Sequence, residues 1–246
     1  MDYHGLMTRG VPTPPKGLLP FDDFPMTWRR VVVDACREAW SRLSDAAKAV
    51  STSMASFSED EITGRLKTIL NDMRCQDPPP IMGFSTALFE TVVRDAVVST
   101  YNGSSLGKKP DLVFRPIEME PGMWLSEYRG LFTECKIIDK QKHAIGLYCG
   151  KGLKRFVEGE YAWAMPSGLM LGYARENRRV DTTLRNALKR AQDVASGDEF
   201  DTITLPKQDT RFGSHPVAYV SVHRRNWNYS TGEPPGNVEL IHLWLS

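Results

Sequence analysis

The sequence predicts an α/β protein with a central mixed β-sheet flanked by helices. Two observations carry this. Apolar runs with the two-residue alternation of strands stand in the middle and at the end of the chain, and segments with helical spacing lie before and between them. Strands interleaved with helices, without an internal repeat, describe one layered α/β core. At 246 residues the chain can bury one sizeable core with a small appendage.

Residues 1–26 carry Pro12, Pro14, Pro15, Pro20 and Pro25 with neither period, and read as a proline-rich arm that packs on the core or meets a partner. From 27 to 50, Trp28, Val31, Val32, Ala35, Cys36, Ala39 and Leu43 recur at helical spacing. Residues 51–58 form a connection of small side chains. Ser58 and Glu61 then fit a capping box for a helix whose stripe is Ile62, Leu66, Ile69, Leu70 and Met73. Pro78, Pro79 and Pro80 bar its continuation. Leu88, Phe89, Val92, Val93 and Ala96 predict a further helix over 86–99.

Strands follow at 112–114 and 131–138. Residues 141–158 read as helical, though Gly146, Gly150 and Gly152 weaken the pattern. A strand is expected over 163–173, a helix over 180–195 and closing strands over 217–223 and 238–245. The expected organisation is an arm (1–26), an N-terminal helix with its connection (27–57), and a main domain (58–246).

Hydrophobic residues make up 41% and charged residues 25%, a balance that fits a soluble globular protein. No apolar run approaches the roughly 18 residues of a membrane span. No basic-then-apolar leader opens the chain, so a cytoplasmic location without a membrane partner is expected. Cys36, Cys75, Cys135 and Cys149 are widely spaced, which argues against a zinc ribbon or a disulfide framework. The net charge of +1 leaves any polyanion binding to local basic surface.

The most informative stretch is Lys108-Lys-Pro-Asp111-Leu-Val-Phe114, followed after a short connection by Phe132-Thr-Glu134-Cys-Lys136. Phe132, Glu134 and Lys136 share one face of their strand, while Leu131, Thr133, Cys135 and Ile137 share the other. An acid and a lysine thus stand side by side within apolar surroundings. A strand facing water commonly carries such a couple. Here, however, Glu134-x-Lys136 is the only Asp/Glu-x-Lys and Pro110-Asp111 the only Pro-Asp, both in strand-like runs. Two convergent carboxylates with an ammonium beside them suit Mg²⁺ and a phosphodiester.

These residues resemble the PD-(D/E)XK nuclease superfamily, which has the restriction-endonuclease-like fold. The resemblance implies that Asp111 and Glu134 bind Mg²⁺ (with Mn²⁺ as substitute), that the Cys135 carbonyl joins them, and that Lys136 assists the attacking water. The substrate it implies is DNA. Many members add an acid from the first core helix, and Glu59 and Glu61 compete for that role. Glu59 falls within the apolar stripe, whereas Glu61 has a sufficient role in the capping box, so Glu59 is favoured and Glu90 is the reserve. The segment from Gly152 to Tyr161 also resembles nucleases of bacterial anti-phage systems. The expected activity is therefore Mg²⁺-dependent DNA endonuclease in defence or restriction, controlled by a regulatory protein partner or self-association. The alternative is a catalytically silent DNA- or protein-binding module.

Lys140, Lys142, Lys151, Lys154 and Arg155 form a basic cluster after the motif. Lys151, Lys154 and Arg155 are the candidates for holding DNA phosphates, against the alternative of a solvated helix face. Arg175, Arg178, Arg179, Arg185, Lys189 and Arg190 form a second basic stretch, read as general DNA or partner surface. Gly103 to Lys109 imitates a phosphate loop, but it is one residue short and leads into a strand. His215, His223 and His242 lack metal-ligand spacing.

Overall fold

The computed structural model describes residues 16–117, 125–139, 144–195, 197–213 and 215–246. Most of the proline-rich arm, together with Lys140 and Lys142, lies outside them. Helix α1 (Met26–Ala49) and helix α2 (Glu59–Arg74) come first. The capping box of α2 forms as its sequence requires: Ser58 Oγ accepts from the Glu61 amide, and the Glu61 carboxylate accepts from the Ser58 amide at 2.8 Å. A short hairpin, β1 (Val98–Ser99) and β2 (Leu106–Lys108), precedes the main sheet.

That sheet contains β3 (Leu112–Phe114), β4 (Leu131–Ile138), β5 (Ser167–Ala174), β6 (Thr202–Gln208), β7 (Ala218–His223) and β8 (Val238–Leu245). Its strand order is β3-β4-β5-β8-β7-β6. The β4-β5 and β5-β8 pairs are parallel and the rest antiparallel. The β4-to-β5 connection carries a π-helical stretch, Ala144–Leu153, that runs into α3 (Lys154–Val157). A π-helical turn, Val180–Leu184, leads into α4 (Arg185–Gln192).

Helices cover both faces of the sheet, which is why β5 and β8 are apolar on both sides. On one face, Leu131, Cys135, Ile137, Leu169, Leu171 and Tyr173 pack against Val32, Cys36, Ala39 and Leu43 of α1 and Ile62, Leu66 and Leu70 of α2. On the other, Phe132, Ile138, Met170, Leu240 and Trp244 meet Leu153, Phe156, Leu184 and Leu188. The described end of the arm joins this second core through Leu19, Phe21 and Phe24, and the Phe21 amide donates to the Ala164 carbonyl at 2.9 Å.

The helix expected over 86–99 does not form. Val92 and Val93 are β-branched, and better partners take their backbone: Val93 pairs with Val113, Phe89 with Pro116, and the Asn71 side chain bonds both polar groups of Val92. Strand β5 begins later than its apolar run suggests. The Met165 amide turns back to the Ala162 carbonyl, and the buried Arg225 guanidinium claims the carbonyls of Trp163 and Met165. Strand β6 escapes sequence detection because Pro206 interrupts it and much of its length is exposed, as suits a strand at the sheet edge.

Candidate active site

Antiparallel pairing of Leu112 with Thr133 sets Asp111 beside Glu134. Beyond Leu112, β3 has ended, and among the described residues no strand pairs with this edge of β4. Its amides are taken by carboxylates instead. Asp111 Oδ2 accepts from the Cys135 amide at 2.7 Å, and Glu59 Oε2, at the start of α2, accepts from the Ile137 amide at 2.9 Å. The same vacant edge thus recruits two acids from different elements, which ties site geometry to sheet topology.

Lys136 sits among all three acids. Its Nζ lies 2.7 Å from Glu134 Oε1, 3.1 Å from Glu59 Oε1 and 3.7 Å from Asp111 Oδ2. It also donates to the Cys135 carbonyl at 2.8 Å. Burial works against the ammonium, but Glu134 and Asp111 outweigh it and hold the Lys136 pKa above its ordinary value. Burial and the neighbouring Glu134 push Asp111 up to about 7, against the lowering effect of Lys136. Three carboxylates against two cations, Lys136 and Arg155, leave one excess negative charge when all three acids are ionised. That charge distribution fits a divalent cation. Among the described residues, no group of three His, Cys, Asp or Glu side chains stands ready-made for a metal ion; the Lys136 ammonium is seated between these acids.

The sequence-predicted set Asp111, Glu134, Lys136 and Glu59 is therefore brought together, with the Cys135 carbonyl at its edge. The Cys135 thiol points into the opposite core, where burial raises its pKa far above the ordinary thiol value. Glu90 is exposed, and its amide bonds the Arg115 carbonyl outside this cluster. The basic trio divides. Arg155 Nη1 reaches Glu134 Oε1 at 3.3 Å, Lys154 lies 3.6 Å from Glu199 and 3.7 Å from Glu158, and Lys151 is exposed. Arg175 turns inward to the Phe57 carbonyl, and Arg179 pairs with Asp181.

Sequence reasoning missed Tyr161, whose hydroxyl donates to Glu134 Oε2. It also missed Tyr173, whose hydroxyl meets Thr63 Oγ1 at 2.9 Å, joining β5 to the first turn of α2 behind Glu59. The Gly152-to-Tyr161 stretch did carry a signal, since Gly152, Arg155 and Tyr161 all lie against Glu134. Comparison of the chain with protein-family models, curated proteins and solved structures finds no match.

Proposed function

We infer that this chain is a metal-dependent DNA endonuclease of restriction-endonuclease-like architecture, hydrolysing phosphodiester bonds. The observation that carries the reading is the convergence of Asp111, Glu134 and Glu59 on Lys136 at an open strand edge. The order of elements supports it: a helix bearing Glu59, antiparallel β3 and β4 bearing the motif, then a helical crossover to parallel β5.

Asp111 and Glu134, with Glu59 and the Cys135 carbonyl, would hold Mg²⁺ or Mn²⁺. When bound, the cation supplies Lewis-acid polarisation of the phosphoryl group and a more acidic water. Lys136 then donates from Nζ to the attacking water or to the charge developing on the phosphoryl oxygens. Glu59 keeps that ammonium in reach. Arg155, about a third exposed, presents its guanidinium to the phosphate on the solvent side of Glu134. Bacterial defence or restriction, with a partner or a second copy restraining the activity, is the setting this reading suggests.

Supercoiled plasmid tests it. The purified chain should nick plasmid with Mn²⁺ or Mg²⁺, stop with chelator, and lose activity with Asp111→Ala. Plasmid left intact by a folded chain that still binds DNA in Mn²⁺ would instead assign a binding module.

A further inference from the structure

Glu134 is the most enclosed acid of the cluster. Its side chain is 1% exposed, against 22% for Asp111 and 29% for Glu59. Three donors meet it, but unevenly. Lys136 and Arg155 both address Oε1, at 2.7 and 3.3 Å, whereas Oε2 is held by Tyr161. A carboxylate held at one oxygen can still swing about its terminal bond. The second hydrogen bond fixes which oxygen faces the cation.

Tyr161 is itself fixed. Its ring is fully buried and meets Phe156 edge-on, with centroids 5.1 Å apart and an interplanar angle of 85°. It follows a turn at Gly159, where φ is +69° and a Cβ would come within 2.7 Å of Trp227 and 2.8 Å of Tyr101. Only glycine serves there. Arg155 cannot substitute for the phenol. Its guanidinium is drawn to Oε1 on one side and to Glu160 on the other, where Nε lies 3.6 Å from Oε2 and Lys108 pairs with Oε1 at 2.7 Å. Burial and Glu134 both raise the Tyr161 pKa, so the hydroxyl stays a neutral donor.

We propose that Tyr161 is a positioning residue of the cation site: its hydroxyl locks Glu134 Oε2 so that Oε1 faces the cleft shared with Asp111. This rests on the nuclease reading and extends it to a residue outside the motif. A purely structural hydroxyl would matter to folding alone. A positioning hydroxyl sets cation affinity, because outer partners of a ligand typically change metal affinity by about 10- to 100-fold.

Mn²⁺ titration of the full chain by calorimetry decides it, with Asp111→Ala as the control for site-specific binding. Tyr161→Phe keeps the ring and removes only the donor. It should bind Mn²⁺ about tenfold more weakly or worse. In plasmid nicking, its KM for DNA should be unchanged and its kcat should recover as Mn²⁺ is raised. Wild-type Mn²⁺ affinity in a folded Tyr161→Phe overturns the proposal. Should that variant fail to fold, Phe156→Leu loosens the Tyr161 ring while retaining its hydroxyl. Several-fold weaker Mn²⁺ binding then supports the proposal, and unchanged binding overturns it. A wild-type chain that binds no Mn²⁺ defeats the nuclease reading itself, and this extension with it, before any variant is compared.

Discussion

Asp111 and Lys136 lie 3.7 Å apart at the open edge of β4, yet the ion pair does not make Asp111 an ordinary carboxylate. Burial and the charge of Glu134 outweigh the ammonium and leave the acid near 7. Lys136 is shared among three acids, and its shortest ion pair goes to Glu134, so Asp111 receives only part of its compensation. A site in this electrostatic state is costly to the fold and receptive to added positive charge.

The first expected outcome concerns that cost. The Asp111 pKa is raised in the folded chain from 3.8 to about 7. Its favourable contribution is therefore full below the unfolded value and is lost as pH rises through 7. At pH 8 the ionised acid should cost on the order of 3 kcal/mol. Asp111→Asn should raise the melting temperature at pH 8 and change it little near pH 4. Mn²⁺ should stabilise the wild type and not the variant. A variant that melts below wild type at pH 8 would show that the ionised acid is no burden on the fold.

A second pH dependence runs the opposite way. His223 Nδ1 meets the Phe200 carbonyl at 2.8 Å, so it carries the proton, and its Nε2 accepts from Ser221 at 2.7 Å. Ser221 Oγ then accepts from His242 Nε2 at 2.7 Å, and His242 Nδ1 accepts from Tyr148 at 2.9 Å. Both rings are neutral in this chain of bonds. Burial lowers His223 to about 4, although the Phe200 carbonyl, Asp198 and Asp201 oppose it; burial and His223 lower His242 to about 3. Below pH 6.5 the unfolded chain takes up protons that the folded one refuses, so stability falls from there toward pH 4. The loss should be on the order of 3 kcal/mol per ring. Urea unfolding of Asp111→Asn at pH 7 and pH 5 isolates it; equal midpoints would show that these rings are not held neutral.

Much of this was legible in the sequence, for physical reasons. The motif strands, the capped α2 and the closing strands each announce themselves locally, through alternation, a capping box or an unbroken apolar run. Glu59 was recoverable because an acid on an apolar stripe needs a partner, and Lys136 with the Ile137 amide supplies one. Residues 86–99 failed because their helical spacing competes with pairing to β3, which no local window contains. Tyr161 failed similarly: its role comes from a hydrogen bond spanning 27 residues of sequence.

The basic trio should separate by function. Lys151 is exposed within the π-helical stretch and Lys154 is partly exposed at the start of α3, whereas Arg155 grips Glu134. Replacing Lys151 and Lys154 together with Ala should weaken binding to any duplex. It should also flatten the salt dependence by roughly 0.9 in slope for each phosphate no longer neutralised. Arg155→Ala should in addition disturb Mn²⁺ affinity. An unchanged slope in the double variant would assign the two lysines to a solvated face.

The last expected outcome separates chemistry from binding. Lys136 is held at Glu134 with 12% of its side chain exposed; in the proposed nuclease it would act on charge that builds only as the phosphodiester is attacked. Lys136→Ala should therefore abolish cleavage while leaving DNA affinity nearly intact. Asp111→Ala should abolish it through loss of the cation, with slight recovery at high Mn²⁺. Ca²⁺, which tolerates irregular ligand sets, should support DNA binding by the wild type without turnover. Melting curves establish that both variants fold, since removing Lys136 leaves three acids facing one another and Glu134 nearly enclosed. Gel-shift affinity in Ca²⁺ and nicking rate in Mn²⁺, measured on the same preparations, give the two readouts. If folded Lys136→Ala and Asp111→Ala both cut plasmid at the wild-type rate, the cluster is not the catalytic centre, and its acids serve only to cap the open edge of β4.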